Sequence, residues 1–232
     1  MARGLFVAGT DTGVGKTLIA CGLVRLLRER KIDAVGFKAV VTGQEDGKWA
    51  DAEALHHASD GSEPLEQLCP IRFRAPLAPV PAAKEEGRKV DLALARAAWQ
   101  ELCSRHSVVI TEGIGGLLVP LDEKTLQIDF IAELKLPVIL VARAGLGTIN
   151  HTLLSLRELQ RADIPVEGVV LNVTVGDDTA NVKRSLPEIH RFTDGVVPIV
   201  VPHFSEDNSQ EKRASWVAYM LRDGLNFEEL LT

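Results

Sequence analysis

The chain has 232 residues, with 26 lysines and arginines against 32 aspartates and glutamates, a formal net charge of −6. With 46% hydrophobic and 25% charged residues the composition is globular, which excludes disordered, collagenous and disulfide-rich chains. The length suits one domain over residues 1–232 better than two independent cores, and the acidic balance leaves no basic excess for non-specific binding to nucleic acid. Apolar stretches such as 136–142 fall far short of the ~18–20 residues that cross a bilayer, and residues 1–7 lack the apolar core of a secretion signal. Cys21, Cys69 and Cys103 are odd in number and far apart, so neither a disulfide framework nor a zinc cluster is indicated. The expectation is a cytoplasmic protein with neither a membrane nor a nucleic-acid partner.

Short apolar runs at 5–8, 34–38, 108–111, 138–142, 168–171 and 196–200 read as strands buried on both faces, as a parallel sheet requires. Between them, 17–30 places Ile19, Leu23, Leu26 and Leu27 on one helical stripe. Helices are also expected at 92–103, 128–134, 149–162 and 179–189, the last shortened by Pro187. This alternation predicts an α/β fold, a mostly parallel sheet with helices on both faces. Residues 41–90 break the rhythm. They are polar and carry Pro64, Pro70, Pro76, Pro79 and Pro81, so a loop-rich excursion is expected there, with one short helix at 51–58. The final helix, 210–225, is expected to pack through Trp216, Tyr219 and Met220.

The segment Gly9-Thr10-Asp11-Thr12-Gly13-Val14-Gly15-Lys16-Thr17 follows the first strand and opens the first helix. Strand, glycine loop and helix N-terminus together form a phosphate cradle, because consecutive backbone N–H groups and the positive end of the helix dipole face one concavity. Lys16 is placed for the β- and γ-phosphates and the Thr17 hydroxyl for Mg²⁺. Thr10 occupies the first glycine position of the usual pattern and Gly9 lies one residue earlier, so the loop is one residue longer. Thr12, Gly13, Val14 and Gly15 are the remaining nucleotide-binding candidates. Asp51, at the start of a short helix, and Glu112, at the C-terminal end of a strand, add oxygen ligands for Mg²⁺ beside Thr17. Lys38 ends the second strand and supplies a second cation, which suits phosphoryl transfer. The six histidines lack metal spacing, and none is assigned a catalytic role.

In order along the chain, the lengthened loop, Gly36-Phe37-Lys38 with Thr42-Gly43, Asp51-Ala52 and Glu112-Gly113-Ile114-Gly115-Gly116 with Pro120-Leu121 resemble the dethiobiotin synthetase family. So do Leu136 to Val141 leading into Gly145-Leu146-Gly147-Thr148-Ile149-Asn150-His151, Asn172, and Val201-Pro202-His203-Phe204. The resemblance implies a P-loop NTPase fold and an ATP-dependent cyclo-ligase with Mg²⁺, joining 7,8-diaminononanoate and CO₂ into dethiobiotin. It further implies Lys16, Lys38 and Thr42 as catalytic groups and Thr17, Asp51 and Glu112 as metal ligands. Thr12, Lys38, Thr42, Gly147, Thr148, Ile149 and Asn150 would contact substrate, and Asn172, Pro202, His203 and Phe204 would contact the adenine end of ATP. A homodimer with active sites at its interface is implied as well. Gly13 stands where some members carry an acid, and Gly145 where some carry a basic residue near the substrate carboxylate.

Two other readings compete. A partition or positioning ATPase of the deviant-loop type needs a lysine at position 11, where this chain has Asp11. The ligase half of a cobyrinic acid synthase-like amidotransferase needs a further glutaminase domain, for which 232 residues are too few.

Overall fold

The computed structural model describes residues 4–177, 179–193, 195–204 and 210–222. The central strand β1 (Gly4–Gly9) is buried on both faces, with Phe6 and Ala8 in one core and Leu5 and Val7 in the other, as the two-residue period of a strand dictates. It pairs in parallel with β5 (Val108–Glu112) on one side and β6 (Val138–Arg143) on the other. Beyond these lie β2 (Ala34–Lys38), β7 (Val166–Asn172) and β8 (Ile199–Val201), giving the order β2-β5-β1-β6-β7-β8. Every pairing in this six-stranded sheet is parallel, as the run pattern predicts.

Helices cover both faces. α5 (Leu92–Arg105) and α6 (Gln127–Leu134) pack with Phe6 and Phe37. α1 (Lys16–Glu29) and α9 (Gln210–Arg222) pack on the opposite face, and α7 (Thr148–Arg161) and α8 (Thr179–His190) flank β6 and β7. The register puts Lys38 opposite Glu112, and Glu112 opposite Val7, so the ends of β1, β2 and β5 lie at one edge, with the loop after β1 above them.

The excursion at 41–90 is more ordered than its composition suggests. β3 (Val40–Thr42) and β4 (Ile71–Phe73) form a small parallel sheet, joined by α2 (Ala50–Ala58) and α3 (Leu65–Leu68) and followed by α4 (Pro79–Glu85). Three-residue strands are too short to show a period. Two of the prolines that read as loop residues instead open helices: Pro64 caps α3 and Pro79 lies in the first turn of α4, where a missing N–H costs nothing. α2 is pinned to β2. A Cβ on Gly36 would stand 2.8 Å from a Leu55 methyl, and the Ser59 hydroxyl accepts from the Gly36 N–H at 3.0 Å. That contact fixes where Asp51 lies.

Three other expectations change. α8 continues through Pro187 to His190; the helix is solvent-exposed at Lys183 and Pro187, a face on which a missing backbone bond costs less than in a core. β8 begins only at Ile199 because Pro198 has no N–H for the ladder. The described part of α9 ends at Arg222, leaving 223–225 outside the described residues, and its packed face is Ala214, Val217, Ala218 and Leu221. Trp216 and Tyr219 are more than half exposed. The reason is a close crossing of α9 over α1 at Gly22, where Val217 packs against the bare glycine beside Ala214.

A Cβ on Gly22 would sit 2.4 Å from Val217 Cγ1. Gly22→Ala is therefore expected to destabilise the protein by about 1–2 kcal/mol, since overpacking outweighs the gain of up to ~1 kcal/mol in helix propensity. Adding Val217→Ala should recover most of the loss, and urea unfolding of the single and double variants measures both effects. Among the described residues no helix is long and apolar enough to cross a membrane.

Candidate active site

The loop after β1 turns on Gly13 (φ 74°) and Gly15 (φ 99°), both left-handed conformations that glycine adopts without strain. Gly15 is the N-cap of α1 and no side chain caps that end, so the first N–H groups of the helix are open to an anion. Gly9 leaves room for the Lys16 stem; a Cβ there would stand 2.8 Å from Lys16 Cδ. Lys16 is almost fully buried, and its Nζ donates to the Asp11 carbonyl at 2.8 Å. Burial, aided by the nearby Lys38 charge, brings the Lys16 ammonium down to about 8 against the pull of Glu112, Asp51 and Asp11.

Asn172, at the end of β7, donates from Nδ2 to the Val14 carbonyl at 2.9 Å. A Cβ on Gly15 would approach that nitrogen to 2.2 Å. The asparagine thus braces the phosphate loop from below, and its Oδ1 remains an acceptor.

Thr17, Lys38, Asp51 and Glu112 come together in a ring. Thr17 Oγ1 lies 2.9 Å from Asp51 Oδ1 and 2.8 Å from Glu112 Oε1, while Lys38 Nζ donates to Asp51 Oδ2 at 2.6 Å and Glu112 Oε1 at 2.5 Å. Burial alone would depress the Lys38 ammonium, but the two carboxylates outweigh it and hold its pKa well above the ordinary lysine value. Burial likewise pushes the Glu112 carboxyl up, with Lys38 opposing. Asp51 keeps part of its side chain in solvent, and Lys38 and Thr17 lower it despite its burial.

Among the described residues Glu112 Oε2 is buried without a hydrogen-bond partner, a position that favours a cation. Two carboxylates and a hydroxyl form a hard-oxygen set suited to Mg²⁺. Among the described residues no three His, Cys, Asp or Glu side chains cluster as a metal site.

Sequence reasoning missed Gln127. This first residue of α6 is 1% exposed; its Oε1 accepts from the Ile114 N–H at 2.5 Å and its Nε2 donates to the Gly116 carbonyl at 3.2 Å. It clamps the 113–116 loop, which leads from Glu112 to within contact of the phosphate loop: a Cβ on Gly116 would lie 3.3 Å from the Thr10 carbonyl, and one on Gly115 3.6 Å from Thr12 Oγ1. The available signal was an amide at the start of an apolar helix. Gln127→Met, which keeps the volume, is expected to lower kcat about tenfold (~1.4 kcal/mol in the barrier) with the KM for ATP nearly unchanged. Steady-state kinetics at varied ATP separates the two parameters.

A family described as an AAA domain matches residues 3–203. The ATP-dependent dethiobiotin synthetase BioD of Anaeromyxobacter dehalogenans (strain 2CP-C) is 52% identical over 191 residues, covering 82% of this chain and 86% of that protein. The chain belongs to the dethiobiotin synthetase family. A dethiobiotin synthetase BioD from Bacillus subtilis subsp. natto is 36% identical over 232 residues, covering 99% of this chain and 97% of its own. Among solved structures, a ParA family ATPase from Chlorobium tepidum TLS (TM-score 0.54, 13% identity, 96% of this chain and 93% of that one) is similar in fold. So is a chain of the MinC:MinD cell division complex of Aquifex aeolicus (TM-score 0.59, 12% identity, 97% and 98%).

The remaining residues implied by the dethiobiotin synthetase resemblance are spread around this centre. Thr42 ends β3, half-buried, and its hydroxyl makes no hydrogen bond to the Lys38 ring among the described residues. Gly147 (φ 92°) caps α7, Thr148 is buried with its hydroxyl 3.4 Å from that of Thr152, Ile149 packs inward, and Asn150 is exposed. Pro202 and His203 are exposed, and Phe204 packs on Trp216 with ring centroids 6.0 Å apart.

Gly145, where the resemblance allows a basic residue, lies against two charged side chains. A Cβ would stand 2.4 Å from Asp177 Oδ1 and 3.1 Å from Arg143 Nε, so a side chain here requires those two to shift. Gly13 has open space around its α-carbon. His106 lies between Asp33 Oδ1 (3.0 Å) and Glu63 Oε1 (2.9 Å), just before the start of the strand that ends in Glu112.

Proposed function

We propose that the chain acts as one ATP-binding unit that carboxylates 7,8-diaminononanoate with CO₂ and closes the ureido ring of dethiobiotin, releasing ADP and phosphate. The observation that carries this reading is the convergence of Lys16, Thr17, Lys38, Asp51 and Glu112 above the C-terminal ends of β1, β2 and β5, in a chain of the dethiobiotin synthetase family. One substrate amine takes up CO₂ as a carbamate, losing a proton, and a carbamate oxygen attacks the γ-phosphorus as ADP departs. The second amine then attacks the activated carbon and expels phosphate.

Lys16 and Lys38 neutralise the anions that meet at the γ-phosphate, and Thr12 and Thr42 orient the diamine or its carbamate. Thr17, Asp51 and Glu112 hold Mg²⁺, which when bound shields charge on the phosphates. Val14, Gly13 and Gly15 cradle the phosphates through their N–H groups. Asn172 Oδ1, with Pro202, His203 and Phe204, receives the base.

The reading includes a cytoplasmic homodimer in which Gly147, Thr148, Ile149 and Asn150 of one subunit bind the substrate carboxylate beside the other's phosphate loop. Its support is a groove of about 570 Å³ bordered by Thr10, Asp11, Leu118 and Leu154, with Leu118 and Leu154 both more than half exposed, an apolar surface of the kind that partner subunits cover.

Mass spectrometry of the protein incubated with Mg-ATP, bicarbonate and the diamine tests the activity. Dethiobiotin should form only when all three are present. ADP release that ignores the diamine, without a ureido product, returns the chain to the switch-type ATPases.

A further inference from the structure

The ring around Lys38 joins residues to which the proposed reaction gives two different tasks. Asp51 and Glu112 are assigned to the metal and Lys38 to the substrate, yet Lys38 Nζ bonds both carboxylates. The Lys38 side chain is 3% exposed and that of Glu112 0%, so no open space separates the ammonium from the carboxylate oxygens. A single positive charge also serves two carboxylates incompletely, because Glu112 Oε2 remains buried and unpartnered. A divalent ion held by Thr17 and these carboxylates, even through Glu112 Oε2, would stand close beside an ammonium that already bonds both carboxylates. Between groups as buried as Lys38 and Glu112 that repulsion is poorly screened, and movement of the lysine relieves it. A buried lysine leaves only toward another anion.

We propose that Lys38 competes with the metal for Asp51 and Glu112, and that the metal enters together with the anionic ligand as the ammonium passes from these carboxylates to that ligand. The exchange rests on the reading of Thr17, Asp51 and Glu112 as metal ligands, and it sets a binding order: free divalent metal binds weakly, and metal with nucleotide binds well. It also assigns Lys38 a positioning role before chemistry, since metal entry is what delivers its charge to the substrate side.

Mn²⁺ binding to the nucleotide-free protein, followed by electron paramagnetic resonance, tests the exchange without turnover. Lys38→Met should bind Mn²⁺ at least tenfold more tightly than wild type, and adding Glu112→Gln to that variant should remove the gain. Equal or weaker affinity in Lys38→Met, with the sensitivity to Glu112→Gln retained, overturns the exchange and leaves the metal ligands standing. Affinities indifferent to Glu112→Gln overturn the metal assignment and the exchange with it.

Should the variant not fold, the wild type carries the test by ¹⁵N-lysine labelling. The Lys38 Nζ resonance should shift when Mg²⁺ and a non-hydrolysable ATP analogue are added together, and hold its position with Mg²⁺ alone. A resonance unmoved by the combination overturns the proposal.

Discussion

Lys16→Ala is expected to abolish ATP turnover, by about 10³-fold or more in kcat, while the protein remains folded. The magnitude follows from removing a preorganised charge aimed at the transferring phosphoryl group in a site shielded from water. The fold survives because the lysine does not hold it together: its one hydrogen bond is to the Asp11 carbonyl in a glycine loop, and burial disfavours its charged form.

The sign is clear. With the folded value lowered from 10.5 to about 8, the unfolded chain binds more protons between those pH values, so this group makes stability rise with pH across that window and imposes its full penalty below about pH 8. Removing it lifts that penalty, and the melting temperature at neutral pH should stay within a few degrees of wild type. Activity moves the other way. In the wild type kcat/KM for ATP should fall as pH rises past about 8, when the free protein loses the ammonium, whereas kcat should fall at higher pH, because bound phosphates favour the charged form. Turnover retained by Lys16→Ala removes the phosphate-loop assignment.

Lys38→Ala should lose dethiobiotin formation by about 10²–10³-fold, more than it loses affinity for ATP. The same variant should lose about 3 kcal/mol of stability, the low end for breaking a buried ion pair, since Asp51 can turn to solvent but Glu112 cannot. That deficit should shrink as pH falls, because the Glu112 carboxyl, already raised by burial, takes up a proton and no longer needs a partner. It should shrink again on adding Mg²⁺ with nucleotide. Calorimetry across pH, with and without Mg²⁺, measures the stability terms, and product analysis the catalytic one. A loss of ATP affinity equal to the loss of ring closure would place Lys38 in nucleotide recognition instead.

Much of this molecule is legible before folding is considered. The six buried runs specify a parallel sheet because a strand covered on both faces has apolar residues at every position. The phosphate loop is legible because Gly13 and Gly15 sit where left-handed backbone is required, between a strand and a helix. Ordered short motifs point to the dethiobiotin synthetase family. The small sheet of β3 and β4 is invisible in the sequence because three-residue strands carry no period, and the packed face of α9 is not the aromatic one because Val217, not Trp216 or Tyr219, meets Gly22 of α1.

The sequence by itself determined the sheet, the cradle and the inventory of charged groups. Tertiary structure alone decided that Lys38, 13 residues from Asp51 and 74 from Glu112 along the chain, bonds to both, and that Gln127 holds the loop after Glu112. Backbone conformation and burial pattern are local properties that each short segment carries. The pairing of charges depends on strand register and on where α2 is pinned against Gly36, and no segment holds that information until the chain has closed on itself.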